Sequence, residues 1–158
     1  MRTSIIPSAD KSPTRHVCAM CGIPADSEVF DESSIVDAPS PGQAIVLAHF
    51  QLAPQYCGVL QYFVQYTDLQ AKQPEEVRTP GLQWTVRSNN HPLYPYIQLD
   101  RILNPWGYGS YQVAIRLDEA SVIDLVVRNV ATDTAGVSQV GGRLMGRYWY
   151  NTAYGGVA

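Results

Sequence analysis

Leu82-Gln-Trp-Thr-Val-Arg-Ser88 alternates large apolar side chains at Leu82, Trp84 and Val86 with polar ones at Gln83, Thr85 and Arg87. Successive side chains of an extended chain point to opposite faces, so this spacing makes a strand with one face toward a core and one toward water. A helix would scatter the same residues around its circumference. Working outward, Ser88-Asn-Asn-His-Pro92 supplies residues that tolerate left-handed or pre-set φ values and ends the strand in a turn. Before it, Leu60, Tyr62, Val64 and Tyr66 read as one face of a run whose other face holds Gln61 and Gln65. After it, Tyr111, Val113, Ile115 and Leu117 alternate with Gln112, Ala114 and Arg116. Asp118-Glu-Ala120 then connects to an apolar strand over residues 122–130. A strand over residues 44–52 precedes this series, and one over 144–150, introduced by Gly141-Gly142, closes it. Residues 96–103 read as extended or as a short helical turn before Asn104-Pro-Trp-Gly107.

Apolar runs of this length, recurring about every 10 to 15 residues with Pro, Gly and Asn between them and no 3.6-residue stripe, predict an all-β protein. The expected architecture is an antiparallel β-sandwich of jelly-roll type, with an immunoglobulin-like sandwich as second choice. Counting an N-terminal strand, seven or eight strands are at hand.

The chain divides in composition. Residues 1–43 are rich in Ser, Pro and Asp and hold one aromatic residue, Phe30, whereas all ten tyrosines and all three tryptophans follow Ala44. Pro7, Pro13, Pro24, Pro39 and Pro41 interrupt any helix before it gains a turn or two. The expected organisation is an extended N-terminal arm over 1–43, anchoring or partly disordered, joined to a β-sandwich domain over 44–158. Short apolar patches in the arm, such as Ile5-Ile6, Val29-Phe30 and Ile35-Val36, are too small to bury one another and read as anchors for a neighbour's grooves.

Charged residues make up 16% of the chain, against roughly 25% in average globular proteins. A charge-poor, tyrosine-rich surface favours association, so a homo-oligomer or another permanent partner is expected. The net charge is −3 and the cations are scattered singly, which argues against nucleic-acid binding. No signal-peptide pattern and no apolar run approaching ~18 residues is present, so neither secretion by an N-terminal signal nor a membrane span is expected. Three cysteines, an odd number, argue against a disulfide framework and fit synthesis in a reducing cytoplasm.

Candidate chemistry is sparse. His16-Val-Cys18-Ala-Met-Cys21 carries metal-ligand spacing: Cys18 and Cys21 can reach one Zn²⁺ and His16 can be a third ligand. A closed site needs a fourth, which only Cys57 or His49 could supply through folding; otherwise the cysteines are small apolar residues and no cofactor is expected. His49 sits in mid-strand, where a histidine is more often hydrogen-bonded structure than a base. The adjacent pairs Asp31-Glu32, Glu75-Glu76 and Asp118-Glu119 are loop charge, because neighbours on an extended chain face opposite ways. No catalytic residues are expected.

The aromatics carry more information. Tyr94-Pro-Tyr96 and Trp106-Gly-Tyr108-Gly-Ser-Tyr111 set flat rings beside proline and glycine. Rings with a polar tip are preferred anchors of protein interfaces, and Tyr94, Tyr96, Trp106, Tyr108 and Tyr111 are candidate interface residues. The alternative is a carbohydrate-binding, receptor-reading module that stacks sugars on Tyr94, Tyr96, Trp106 and Tyr108. Core packing accounts for Trp84 and Trp149. Arg143 and Arg147, four apart on the last strand, face one side and can meet a partner's carboxylates.

Three stretches, Tyr56-Cys-Gly-Val-Leu-Gln-Tyr-Phe63, Asn104-Pro-Trp-Gly-Tyr108 and Gly146-Arg-Tyr-Trp-Tyr-Asn151, together resemble small accessory virion proteins of tailed bacteriophages, of the kind that decorate the capsid or sit at the neck, collar or baseplate. The resemblance spans residues 44–151 in style. It implies a non-enzymatic β-sandwich made in the host cytoplasm and located in the virion, where it docks onto capsid, portal, neck or tail proteins. An N-terminal arm that orders on binding fits such proteins; the Cys18/Cys21 pair has no counterpart in that pattern.

Overall fold

A computed structural model of the chain describes residues 22–68, 81–97, 110–130 and 137–151, with the side chains of 94–97 and 110 left outside that description. Eight strands form: β1 (Glu28–Asp37), β2 (Ala44–Gln51), β3 (Tyr56–Thr67), β4 (Leu82–Ser88), β5 (His91–Ile97), β6 (Ser110–Leu117), β7 (Val122–Asn129) and β8 (Gln139–Tyr150). They make two antiparallel four-stranded sheets, β1-β8-β3-β6 and β2-β7-β4-β5, so the fold is all-β and sandwich-like. No helix of the described residues is long and apolar enough to cross a membrane.

The alternation of β4 places Leu82, Trp84 and Val86 in the core, where each is essentially inaccessible to water. Burying an apolar side chain of this size contributes about 1.5–3 kcal/mol. Asn89 and Asn90 both take left-handed φ values, 51° and 66°, and join β4 to β5 as a two-residue hairpin with Ser88 opposite His91. That is the geometry whose twist matches the flanking strands, and asparagine tolerates it. The turn foreseen over 88–92 is therefore shorter, and β5 starts at His91. Pro92 and Pro95 are accommodated because β5 is an edge strand.

β1 belongs to the first sheet along its whole length, pairing with β8 from Glu28↔Tyr148 to Asp37↔Gln139. Residues 28–37 precede the compositional change at 43/44 and yet build the sheet edge. Phe30 is 4% exposed and stacks on Phe50 of the opposite sheet, with ring centroids 3.9 Å apart and planes 5° apart. The Val29-Phe30 patch thus supplies a core residue to its own chain and not to a neighbour. Phe30 fits because Gly146 lies beneath it, where an added Cβ would come within 2.5 Å of the ring. Gly142 plays the same part between the sheets, with Leu47 and Leu125 each 2.8 Å from the position its Cβ would take. Gly141, Gly142 and Gly146 therefore lie inside β8, which starts earlier than the sequence suggested.

Buried polar groups hold the ends. Asn129, fully buried, donates from Nδ2 to the Pro39 carbonyl at 2.9 Å, while its backbone pairs with Gly42 and Gln43. Asp68 accepts hydrogen bonds from Ser138 N, Ser138 Oγ and Gln139 N and so fixes the start of β8. Ser34 Oγ donates to the Leu47 carbonyl and ties β1 to β2 across the two sheets.

Candidate functional site

The outward side of the β1-β8-β3-β6 sheet is assembled in register rows. Ile35, Gly141 and Tyr66 form one; Ser33, Arg143 and Val64 the next; Asp31, Met145, Tyr62 and Gln112 the third; Val29, Arg147, Val59 and Arg116 the fourth. Ile35 is 62% exposed, Val29 57% and Tyr62 39%. Gly141 has no side chain, and Ile35 and Tyr66 close over it to within 2.9 and 3.2 Å of where a Cβ would stand. The result is an open groove of about 520 Å³ walled by Ile35, Val64 and Tyr66.

A bulge creates this face. Between Leu60 and Tyr62 the register of β3 shifts against both β6 and β8. Leu60 and Phe63 consequently both point inward and are fully buried, whereas Tyr62, Val64 and Tyr66 point outward. The sequence assigned Leu60, Tyr62, Val64 and Tyr66 to one face; the extra residue Gln61 moves Leu60 to the other.

Arg143 lies on this face and is engaged within the chain. Its Nε donates to Asp31 Oδ1 at 2.7 Å and a terminal nitrogen donates to Oδ2 at 2.5 Å, a bidentate pair. The hydrogen bond from Arg143 holds the Asp31 carboxyl below its ordinary range. Arg147 donates to Ser27 Oγ at 3.1 Å. Both arginines face outward as the period of two requires, but each already has a partner in its own chain. Trp149, expected in the core, is half-buried on the same outward side and lines a smaller groove with Cys57, Val59 and Arg116.

Tyr111 packs against the core. Its ring stacks on Phe63 at 4.7 Å and 17°, and its hydroxyl accepts a hydrogen bond from Gln65 Nε2 at 3.2 Å. Tyr94 and Tyr96 fall on β5, with side chains outside the described residues. Trp106, Tyr108, His16, Cys18 and Cys21 also lie outside them. Among the described residues no group of three or more His, Cys, Asp or Glu is placed to hold a metal ion. Cys57 and His49, the two candidate fourth ligands, sit on different sheets.

The outward side of the β2-β7-β4-β5 sheet exposes one large apolar side chain among the described residues, Val46 beside Val126, and carries a polar row. His49, Asp124 and Arg87 share one register row. His49 Nδ1 lies 2.7 Å from Asp124 Oδ1, and an Arg87 terminal nitrogen lies 3.5 Å from Oδ2. Asp124 is 5% exposed, so its two neighbours compensate a carboxylate removed from water. His49 is hydrogen-bonded structure, as a mid-strand histidine is expected to be.

A third feature lies where the two sheets open at one end. Phe50, Tyr56, Tyr148 and Tyr150 form a chain of ring contacts with centroids 5.7–5.8 Å apart, continuing from the Phe30–Phe50 stack. Tyr148 donates its hydroxyl to Glu28 Oε2 at 2.5 Å, which raises the pKa of the phenol above the ordinary tyrosine value. None of these four rings was a candidate from sequence; only their clustering at the ends of β2, β3 and β8 brings them together.

Comparison of the chain with protein-family models and with curated proteins finds no match.

Proposed function

We propose that the chain is a non-enzymatic structural subunit of a tailed-phage virion, a jelly roll that docks on other virion proteins through the outward face of the β1-β8-β3-β6 sheet. The strand pairings support the jelly-roll assignment. β1 pairs with β8, β2 with β7 and β4 with β5, while β3 pairs with β6: four nested antiparallel pairs, as when one long hairpin is wrapped around a core. The extended arm of this reading is carried by residues ahead of β1, since Glu28–Asp37 is a sheet strand.

The observation that carries the docking role is the apolar groove around Gly141. Ile35, Val29 and Tyr62 stand largely exposed on one continuous sheet face, and apolar surface of that kind on a charge-poor protein is stabilised by being covered. Interfaces place aromatic and aliphatic anchors at their centre and charged residues at the rim, which suits Tyr62, Tyr66 and Ile35 beside the internally neutralised Asp31–Arg143 pair.

The test is incorporation. Particles assembled with Ile35→Lys/Tyr62→Lys should contain the protein at roughly a tenth or less of the normal copy number, as loss of central anchors predicts, while the isolated variant keeps its thermal midpoint. Normal copy number in that variant would refute docking through this face.

A further inference from the structure

The pocket at the open end of the sandwich has a composition that selects its ligand. It measures about 310 Å³ and is lined by Glu28, Phe50, Tyr56 and Tyr148 together with Gln51 and Leu52. Register explains the grouping. Glu28, Tyr148 and Gly58 share one inward row across β1, β8 and β3. Gly58 leaves room beside Tyr148, because a Cβ there would lie 3.2 Å from that of Tyr148. Phe50 enters from the opposite sheet, held by its stack on Phe30.

Three properties narrow the chemistry. Among the described residues Glu28 is the sole charged one lining the pocket, and the cations of the first sheet are engaged elsewhere: Arg143 with Asp31, Arg147 with Ser27 and Arg116 with Asp118. Its Oε2 accepts the Tyr148 hydroxyl, which leaves Oε1 to receive a donor. The ring planes of Phe50 and Tyr148 meet at 49° and those of Tyr56 and Tyr148 at 57°, so the walls form corners, not a flat platform. A carboxylate flanked by inclined aromatic faces attracts a compact cation by charge and by the ring quadrupoles together. A neutral sugar is served less well: it wants a flat stacking surface and several free polar groups, and here the Tyr148 hydroxyl is already used.

We infer that this pocket receives the cationic side chain, arginine or lysine, of a docked polypeptide, with Glu28 as its counter-ion and Tyr56, Tyr148 and Phe50 as its aromatic walls. Charge complementarity is what fixes the occupant. The site faces the gap between sheets and not the groove around Gly141, so it stands whether or not the chain is a virion subunit.

Titration of the full chain with capped Gly-Arg-Gly, followed by the ring-proton resonances of the pocket tyrosines, tests this directly. Saturable shifts are expected with Gly-Arg-Gly and not with capped Gly-citrulline-Gly, its neutral isostere. Binding should weaken roughly tenfold in Glu28→Gln, about the worth of one charge-assisted contact. Tyr56→Leu, which removes one aromatic wall and keeps the carboxylate, should weaken it too. Equal response to the citrulline peptide, no saturable response to either peptide, unchanged affinity in both variants, or saturable binding of methyl β-glucoside at the same resonances would each overturn the assignment.

Discussion

The two sheets share a core and differ outside it. On the outward side of β2-β7-β4-β5 a buried carboxylate, Asp124, lies between His49 and Arg87, while Arg87 Nε is buried without a hydrogen-bond partner among the described residues and Val46 stands exposed beside Val126. On β1-β8-β3-β6 the polar elements, Asp31 with Arg143 and Arg147 with Ser27, are closed within the chain, but between them stand Val29, Ile35 and Tyr62 with nothing over them among the described residues. Closed polar pairs do not seek a partner, whereas exposed apolar area is stabilised by finding one. Among the described residues the first sheet exposes Val29, Ile35 and Tyr62 and the second Val46, so the larger apolar area, and the place where a second molecule is more wanted, is on the first.

The contrast can be broken first by attacking what both faces rest on. Trp84→Ala or Phe30→Ala empties a fully packed site and should cost about 3–5 kcal/mol in urea unfolding. Phe30 is the sharper test, because a small effect would remove β1, and with it Val29 and Ile35, from the apolar face. Asp124→Ala should cost about 1–3 kcal/mol, since it strips Arg87 and His49 of their shared acceptor in a largely buried setting. Gly146→Ala forces a methyl group against the Phe30 ring and should destabilise by about 1–3 kcal/mol, measured the same way. Ile35→Lys, by contrast, should stay within about 0.5 kcal/mol of the parent in unfolding and change association alone.

The smallest effect concerns Asp31. Its pKa is lowered in the folded chain by the hydrogen bond from Arg143, so the pair contributes stability above the unfolded carboxyl value of about 3.9, and that contribution disappears as pH falls through the lower folded value. Thermal midpoints recorded from neutral pH down to about 2 should therefore converge for the parent and Asp31→Asn at the acid end. The pair is partly exposed, which keeps the difference at neutral pH small.

Much of this architecture was legible in the residues. The period of two in residues 82–88 and 111–117 marked β4 and β6 and the side each turns inward, and Ser88-Asn-Asn-His-Pro92 marked a turn after β4, though not that β5 begins at His91. Composition misled at β1: Glu28–Asp37 is charged and serine-rich because it is an edge strand with one face in water, and only Phe30 and Val36 record its inward side. The apolar face was hidden for another reason. The bulge at Gln61 resets which side chains point outward, and the regular spacing of Gln61 and Gln65 in residues 59–66 reads as unbroken alternation and carries no sign of the shift. The end pocket was hidden by distance, since Glu28, Phe50, Tyr56 and Tyr148 come from four strands that meet only through pairing.

Hydroxyl-radical footprinting of the free chain and of the chain within assembled particles tests the central claim most directly. Docking through the first sheet predicts that Tyr62 and Tyr66 lose several-fold of their reactivity on assembly, while His49, 56% exposed on the opposite face, stays as reactive as before. Equal reactivity of Tyr62 and Tyr66 in both states, or protection of His49 in their place, would contradict it.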